Sequence, residues 1–233
     1  MAPTQRRTPN PALWSTRSES AGWNRQLATA LQQRLGAHLP PAVSLPAGKI
    51  LLPAGQPVTR LPLLHSGRLD ALLPLQGGES GNLIPISFHA GEIALLSQLF
   101  CNQPVWIDLV VAQDCTLRWL PVARLETLLQ GDASLLMLLT RFLAHRLRDV
   151  QIRERGWVER GVRQRVLMQL VRLTQAAPAD AAGHWTLRIT HEELAARCGV
   201  SRPKLTLELK RLEGRGVLRR GRGYIDVWNL AEA

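Results

Sequence analysis

The side chains best suited to chemistry lie near the end of the chain, in THEELAARCGVSRPKLTLELKRLEGRGVLRRGRGYIDVW (190–228). Guanidinium and ammonium groups bind phosphate oxygens, and arginine can also read guanine through two hydrogen bonds. Hydroxyl groups at a helix start add further donors to phosphate. We therefore expect this stretch to bind double-stranded DNA. The candidate DNA contacts are Ser201, Arg202, Lys204, Thr206, Lys210, Arg219, Arg220 and Arg222.

The same stretch predicts the elements that position these side chains. Thr190 and Glu193 match a capping box, in which each side chain bonds the backbone amide of the other residue. A first helix over about 191–197 leads into a turn at Gly199, and Ser201 is placed to cap a second helix. Apolar residues recur along this second helix with the spacing of one buried face, at Leu205, Leu209 and Leu212. Two strands around a Gly-Arg-Gly turn follow, which together predicts a winged helix-turn-helix.

Charge is distributed unevenly along the 233 residues. The chain has 29 Lys and Arg against 18 Asp and Glu, a net charge of +11. Residues 141–233 hold 19 of these cations and 10 of these anions, so +9 of the excess lies in that part. A basic surplus at one end favours a polyanionic partner, although solvated arginine-rich surfaces produce the same count.

The first 122 residues show two different sequence patterns. A tail over 1–22 precedes a helical pattern that begins at Trp23, and residues 41–122 consist of short apolar runs separated by Gly or Pro. Turn signals such as PAG, SG, QGGESG and HAGE recur every eight or so residues, which is typical of a small antiparallel barrel or sandwich.

Residues 132–155 predict a long helix that begins near Asp132 or Ser134. Its apolar residues are spaced by 3, 4, 4 and 3, which matches a seam between two helices. The seam residues are Leu136, Leu139, Leu143, Leu147 and Val150. We expect a homodimer along this seam, with an intramolecular core helix as the alternative. Gly156 and Gly161 then interrupt the helical pattern and predict a hinge, and the pattern resumes as a helix over 162–176.

The chain resembles the Crp/Fnr family of bacterial transcription regulators over residues 25–230. Gly55, Gly67 and Gly91 match the glycines of that family's β-roll, Gly91-Glu92 resembles its phosphate-binding dipeptide, and Ser201-Arg202 resembles the start of its recognition helix. The resemblance implies an α+β fold. Its parts are a tail (1–22), a cyclic-nucleotide-binding-like β-roll or jelly roll (23–131), a dimerisation helix (132–155) and a winged helix-turn-helix (156–233). It also implies a cytoplasmic regulator that binds a pseudo-palindromic operator.

Two departures from the family pattern concern the effector and the operator. Family members that bind cyclic nucleotides have Arg-Ser where Val105-Trp106 stand here, and no Lys or Arg occurs between Arg68 and Arg118. A buried phosphodiester would lack its counter-charge, so we expect no tight binding of cyclic AMP. Gly91, Glu92, Val105 and Trp106 remain the candidate effector pocket, with Glu92 alternatively a turn carboxylate that caps local amides. In the recognition helix, Pro203 and Leu207 replace the usual Glu and Arg, which predicts a different operator.

Other functions are less well supported by the sequence. No G-x-S-x-G, H-E-x-x-H, P-loop or G-x-G-x-x-G motif is present, so we expect no enzyme. No cofactor or metal site is identifiable, and no apolar run is long enough to span a membrane. Haem sensing, a redox role for Cys101 or Cys115, constitutive DNA binding with a vestigial roll, and contact with RNA polymerase remain alternatives; Cys198 has no assigned role. The candidate haem ligands are His38, His65, His89, His145, His184 and His191.

Overall fold

The computed structural model of the chain describes residues 19–74, 82–158, 161–228 and 230. The helices are α1 (Glu19–Leu35), α2 (Val122–Gly131), α3 (Ala133–Val158), α4 (Val162–Ala176), α5 (His191–Cys198) and α6 (Arg202–Gly214). The strands are β1 (Ala42–Leu45), β2 (Ile50–Leu52), β3 (Arg60–Pro74), β4 (Asn82–His89), β5 (Asp108–Pro121), β6 (Trp185–Leu187), β7 (Leu218–Gly221) and β8 (Tyr224–Val227). The predicted α+β architecture, with an antiparallel roll before long helices and a winged helix-turn-helix, is confirmed.

The roll is one antiparallel sheet in the order β1-β5-β3-β4, with β2 also paired to β5. Its two central strands are long, at 15 residues for β3 and 14 for β5. The expected turn at Ser66-Gly67 is wrong, because β3 passes through it as an irregularity in its register with β5. Gly67 has φ of 81° there, and an added Cβ would lie 2.2 Å from the carbonyl oxygen of Asp114. Glycine therefore lets β3 bend while staying paired.

Helix α1 closes one side of the roll. It begins at Glu19, four residues before the predicted start at Trp23. The buried Asn24 side chain donates to the carbonyl of Ile93 (2.9 Å) and accepts from its amide (2.8 Å). Leu27 and Leu31, both fully buried, pack into the apolar core between the helix and the sheet. This two-way hydrogen bond satisfies a buried amide and fixes the position of α1 on the roll.

Helix α3 connects the roll to the C-terminal part. Asp132 caps it by accepting from the amide of Ser134 at 2.9 Å. The helix continues through Gly156 to Val158, so the predicted break at Gly156 is wrong and the linker to α4 is short. A single glycine costs about 1 kcal/mol in a helix, which is too little to end a long one.

The last third of the chain has its own apolar core, separate from that of the roll. Helices α4, α5 and α6 surround it, and the sheet β6-β8-β7 covers one side. Helix α4 has the predicted bounds, and the wing turn falls at Arg222-Gly223 as predicted. No helix among the described residues is both long enough and apolar enough to cross a membrane.

We predict that Gly67→Ala destabilises the protein much more than Gly55→Ala. Both glycines have positive φ, 81° and 84°, but only Gly67 has neighbours within 4 Å of an added Cβ. The left-handed conformation alone costs a non-glycine residue about 1–2 kcal/mol. Overpacking should add about 1–3 kcal/mol at Gly67. Urea unfolding of both variants measures the difference, and equal losses would show that the close approach to Asp114 is unimportant.

Candidate nucleic-acid interface

The turn between α5 and α6 is built by local hydrogen bonds. The Thr190 hydroxyl accepts from the amide of Glu193 at 3.1 Å, which caps α5 as predicted. Gly199 ends α5 in the left-handed conformation, with φ of 63°, and its amide donates to Ala195 and Ala196. Ser201 occupies the N-cap position of α6, but its hydroxyl makes no capping bond, so that detail of the prediction is wrong. Pro203 lies in the first turn of α6, where a missing amide hydrogen is tolerated.

Helix α6 has one buried face and one exposed face. Leu205, Leu209 and Leu212 are buried, as their spacing predicted. Arg202, Lys204 and Lys210 are exposed, Thr206 is half-buried, and Leu207 is 53% exposed. A shallow depression on the outer face brings several of these together and is lined by Arg202, Pro203, Thr206, Leu207 and Lys210. The depression thus brings together three candidate DNA contacts, Arg202, Thr206 and Lys210, and Lys204 is exposed elsewhere on the same helix.

Glu208 is a buried carboxylate on α6 that the sequence analysis missed. Its side chain lies 3.3 Å from Arg211 and 4.0 Å from Arg163 of α4. The i, i+3 spacing of Glu208 and Arg211 was a signal for one of these pairs. The pairing to α4 depends on the tertiary structure.

The wing arginines differ in what they bind. Arg220 is held by Glu213 of α6, at 2.6 Å from its Nη2 and 2.9 Å from its backbone amide. These bonds, the backbone amide first, hold the pKa of Glu213 below its usual range. Arg219 pairs with Asp226 on β8 at 2.9 Å. Arg222, at the turn, is exposed and makes no ion pair with the described residues. The sequence analysis treated the three as equivalent, but two of them also hold the wing together.

The four candidate effector residues differ in burial and in their partners. Burial raises the pKa of Glu92, whose carboxylate accepts from Arg25 (2.8 Å) and from the amide of His89 (3.1 Å). The alternative interpretation of Glu92 as a cap of a local amide is therefore confirmed. Val105 is buried in the core, whereas the Trp106 side chain is 62% exposed. Gly91 adopts φ of 83° in the turn that carries Glu92.

An ion cluster joins the roll to α5, and we call it the interdomain cluster: Arg68, Asp70, Ser87, Glu193 and Arg197. Glu193 accepts from Arg68 at 2.8 Å and from Arg197 at 2.9 Å. The Glu193 carboxylate bonds these arginines. The predicted bond from this carboxylate back to the backbone amide of Thr190 is therefore wrong. Arg197 also donates to Ser87 of β4 at 2.9 Å and approaches Asp70 at 3.4 Å. No spacing in the sequence signalled this cluster, because its bonded partners are up to 127 residues apart.

The histidines and cysteines lie in separate environments. His65 accepts from Arg118, His145 pairs with Glu19, and His184 lies near Asp180. Within the described ranges, no three His, Cys, Asp or Glu side chains are grouped to hold a metal. Burial raises the pKa of Cys198 to about 12 and also raises that of Cys115, which opposes thiolate chemistry at both. Cys101 is exposed and donates to the carbonyl of Ser97.

Comparison with known proteins adds a family model and solved structures. Residues 164–232 match the Crp-like helix-turn-helix domain. A CRP/FNR-family transcriptional regulator from Thermus thermophilus is 25% identical, with 82% of this chain and 94% of that chain covered and a TM-score of 0.67. Residues 164–232 are therefore a Crp-like helix-turn-helix domain, and the chain has the fold of a CRP/FNR-family transcriptional regulator. None of the curated proteins matches it in sequence.

Two further solved structures share the fold over more than four-fifths of this chain. The regulator CLP from Xanthomonas campestris, described as responsive to c-di-GMP, is 23% identical with a TM-score of 0.75. The comparison covers 86% of this chain and 99% of CLP. FixK2 from Bradyrhizobium japonicum is 14% identical with a TM-score of 0.68, over 82% of this chain and 93% of its own.

Proposed function

We propose that this chain is a Crp/Fnr-type regulator that binds a pseudo-palindromic operator as a homodimer, with α6 in the major groove. The observation that carries the proposal is the exposed side of α6, where Arg202, Lys204 and Lys210 are accessible while Leu205, Leu209 and Leu212 are buried. Arg202 is in the first turn, where side chains of a recognition helix contact base edges. Arg222 at the wing turn is exposed and can reach the neighbouring phosphates.

The dimer is proposed to form along α3, with one change to the predicted seam. Leu139 is 2% exposed and packs into the core of its own roll together with Leu135 and Phe142. Leu136, Leu143 and Leu147 are 44%, 39% and 59% exposed, which is unusual for leucines on one helix face. Thr140 lies between them at coiled-coil spacing, so it replaces Leu139 in the proposed seam. Val150 is half-buried and continues the same face.

Paired α3 helices would place two recognition helices on one face of the DNA. Half-sites in dimeric regulators of this class lie about 34 Å apart, one turn of the double helix. A dimer with a twofold axis presents two identical recognition helices, and these match two equal half-sites in the operator. Contact with RNA polymerase would depend on where the operator lies.

The effector is proposed to be something other than cyclic AMP. Glu92, which would have to receive a ribose, already bonds Arg25 and an amide, and the position that should supply a cation is Val105-Trp106. CLP is described as responsive to c-di-GMP, which makes a cyclic dinucleotide the first effector to try. Among the described residues, no arrangement of the histidines favours haem.

We predict different effects of Arg202→Ala and Arg222→Ala on DNA binding. Loss of Arg202 should weaken binding to the best operator by about 1–3 kcal/mol and relax the base preference, because a bidentate contact to a base is lost. Loss of Arg222 should weaken binding to all DNA sequences equally. The slope of log K against log salt concentration should also fall in magnitude by about one. Binding titrations on selected and random DNA over a range of salt measure both. Arg220→Ala is a poorer test than Arg222→Ala, because it also frees the wing from Glu213. A reversed pattern would contradict the assigned roles.

We predict that Leu147→Glu converts the dimer into a monomer, because it places a charge in an apolar seam. Sedimentation velocity at micromolar protein measures the change. Leu207→Glu is the matched control, since Leu207 is similarly exposed, at 53%, but lies on α6. The control should sediment as wild type does. A wild-type chain that is already monomeric at this concentration would refute the seam.

We predict no heat of binding at micromolar concentration when cyclic AMP or cyclic GMP is added to the full chain. A phosphodiester buried without a cation costs several kcal/mol. Isothermal titration calorimetry measures it, and a saturable micromolar signal from either nucleotide would disprove the prediction.

A further inference from the structure

Leu207 on α6 is an exposed apolar side chain in a part of the chain that otherwise covers such residues. It is 53% exposed, whereas Leu205 and Leu209 of the same helix are fully buried. Among the described residues from 161 onward, no other Leu, Ile, Val, Met, Phe, Trp or Tyr is exposed. The proposed function turns this side of α6 toward the major groove, so Leu207 meets the edge of a base there.

The surroundings of Leu207 combine apolar surface with positive charge. Leu207 shares a shallow depression with Pro203, one helical turn earlier, and with Thr206. Arg202 and Lys210 complete the lining of this α6 depression. No carboxylate is among the described residues that line it. Duplex DNA matches this combination, because its phosphates border a groove in which thymine methyl groups are accessible.

The carboxylates of α6 are engaged outside the α6 depression. Glu208 is buried and lies 3.3 Å from Arg211. Glu213 bonds Arg220 of the wing at 2.6 Å. Neither lines the depression, so neither carboxylate opposes the approach of phosphates to it. Charge complementarity therefore favours DNA over a protein partner at Leu207.

The chemistry of a leucine side chain selects among the four bases. The 5-methyl group of thymine is the apolar group that base edges present in the major groove. Leucine has neither a donor nor an acceptor, so a guanine, adenine or cytosine edge that faced it would lose water without gaining a hydrogen bond. Contact with a thymine methyl removes apolar surface of both partners from water, which is favourable.

We propose that Leu207, together with Pro203, contacts the 5-methyl group of one thymine in each half-site of the operator. This rests on the proposed function, to which it adds a second base selected by α6. Arg202 and Leu207 are five residues apart in the sequence, which is about 7.5 Å of helix and the rise of about two base pairs. The thymine is therefore expected within about three base pairs of the base contacted by Arg202.

The test removes thymine methyl groups from the operator one at a time. The full chain first selects an operator from random duplex DNA. Each thymine of the half-sites is then replaced by deoxyuridine, which keeps the same base pair and lacks only the methyl group. We expect one position per half-site at which the replacement weakens binding about fourfold, the effect of one buried methyl group. Replacement at both symmetric positions should weaken binding about fifteenfold, because distant contacts add.

Two variants assign the methyl contact to a side chain. Leu207→Ala should bind the selected operator at least about fourfold more weakly than wild type. Deoxyuridine at the sensitive position should then change its affinity less than about twofold, because the methyl group has lost its partner. Ile50→Ala is the matched control, since Ile50 is 52% exposed but lies on β2 of the roll. The control should keep the wild-type affinity and the wild-type response to deoxyuridine, and circular dichroism confirms that both variants are folded.

Three results would overturn the role of Leu207. One is a wild type that tolerates deoxyuridine at every position. Another is a Leu207→Ala variant that responds to deoxyuridine as strongly as wild type, because a different side chain would then contact the methyl group. The third is a Leu207→Ala variant with unchanged operator affinity, which would assign the exposed leucine to a contact with another protein.

The selection step separates this proposal from the proposed function. A wild type that enriches no sequence from random duplex DNA would overturn the proposed function and this proposal with it. An enriched pseudo-palindrome without a methyl-sensitive thymine would support the proposed function and overturn only the thymine contact of Leu207.

Discussion

The interdomain cluster is the contact on which the arrangement of this protein depends. Two carboxylates, Asp70 and Glu193, and two arginines, Arg68 and Arg197, neutralise one another where β3 meets α5. All four are largely buried, so removing one partner would leave a buried charge, which typically costs about 3–5 kcal/mol. Replacing the whole set by apolar residues is often neutral. The cluster therefore specifies which surface of the roll faces α5 more than it adds net stability, and this in turn sets the direction of α6.

The interdomain cluster and a cleft between β4 and the helices α3, α4 and α5 are two sides of one contact. Arg197 belongs to both, since it bonds Glu193 and Ser87 and also lines the cleft. On the cluster side the arginine charge is balanced within the chain. Arg197 therefore ties α5 to β4 through Ser87 while its charge is balanced by Glu193 on its own helix.

The sequence predicted what depends on local pattern. The bounds of α4, the buried leucines of α6 and the wing turn follow from spacing and turn chemistry within a few residues. It did not predict the partners of Glu193, because a capping-box residue has the same sequence signal whether its carboxylate bonds an amide or a distant arginine. Leu139 shows the same limit, since a broad apolar stripe on α3 does not indicate which side faces the roll. Gly67 was predicted to lie in a turn, but it lies inside β3. The length of β3 depends on its pairing with β5, which the local sequence does not indicate.

The contacts of Glu92 disfavour a ligand at this position of the roll. In this chain the carboxylate is buried, and Arg25 of α1 provides its counter-charge. A ligand that bonded Glu92 would separate it from Arg25 and from the amide of His89, so the ligand would first have to replace both bonds. The sequence also has no Lys or Arg between Arg68 and Arg118, so these strands supply no cation that would attract an anion.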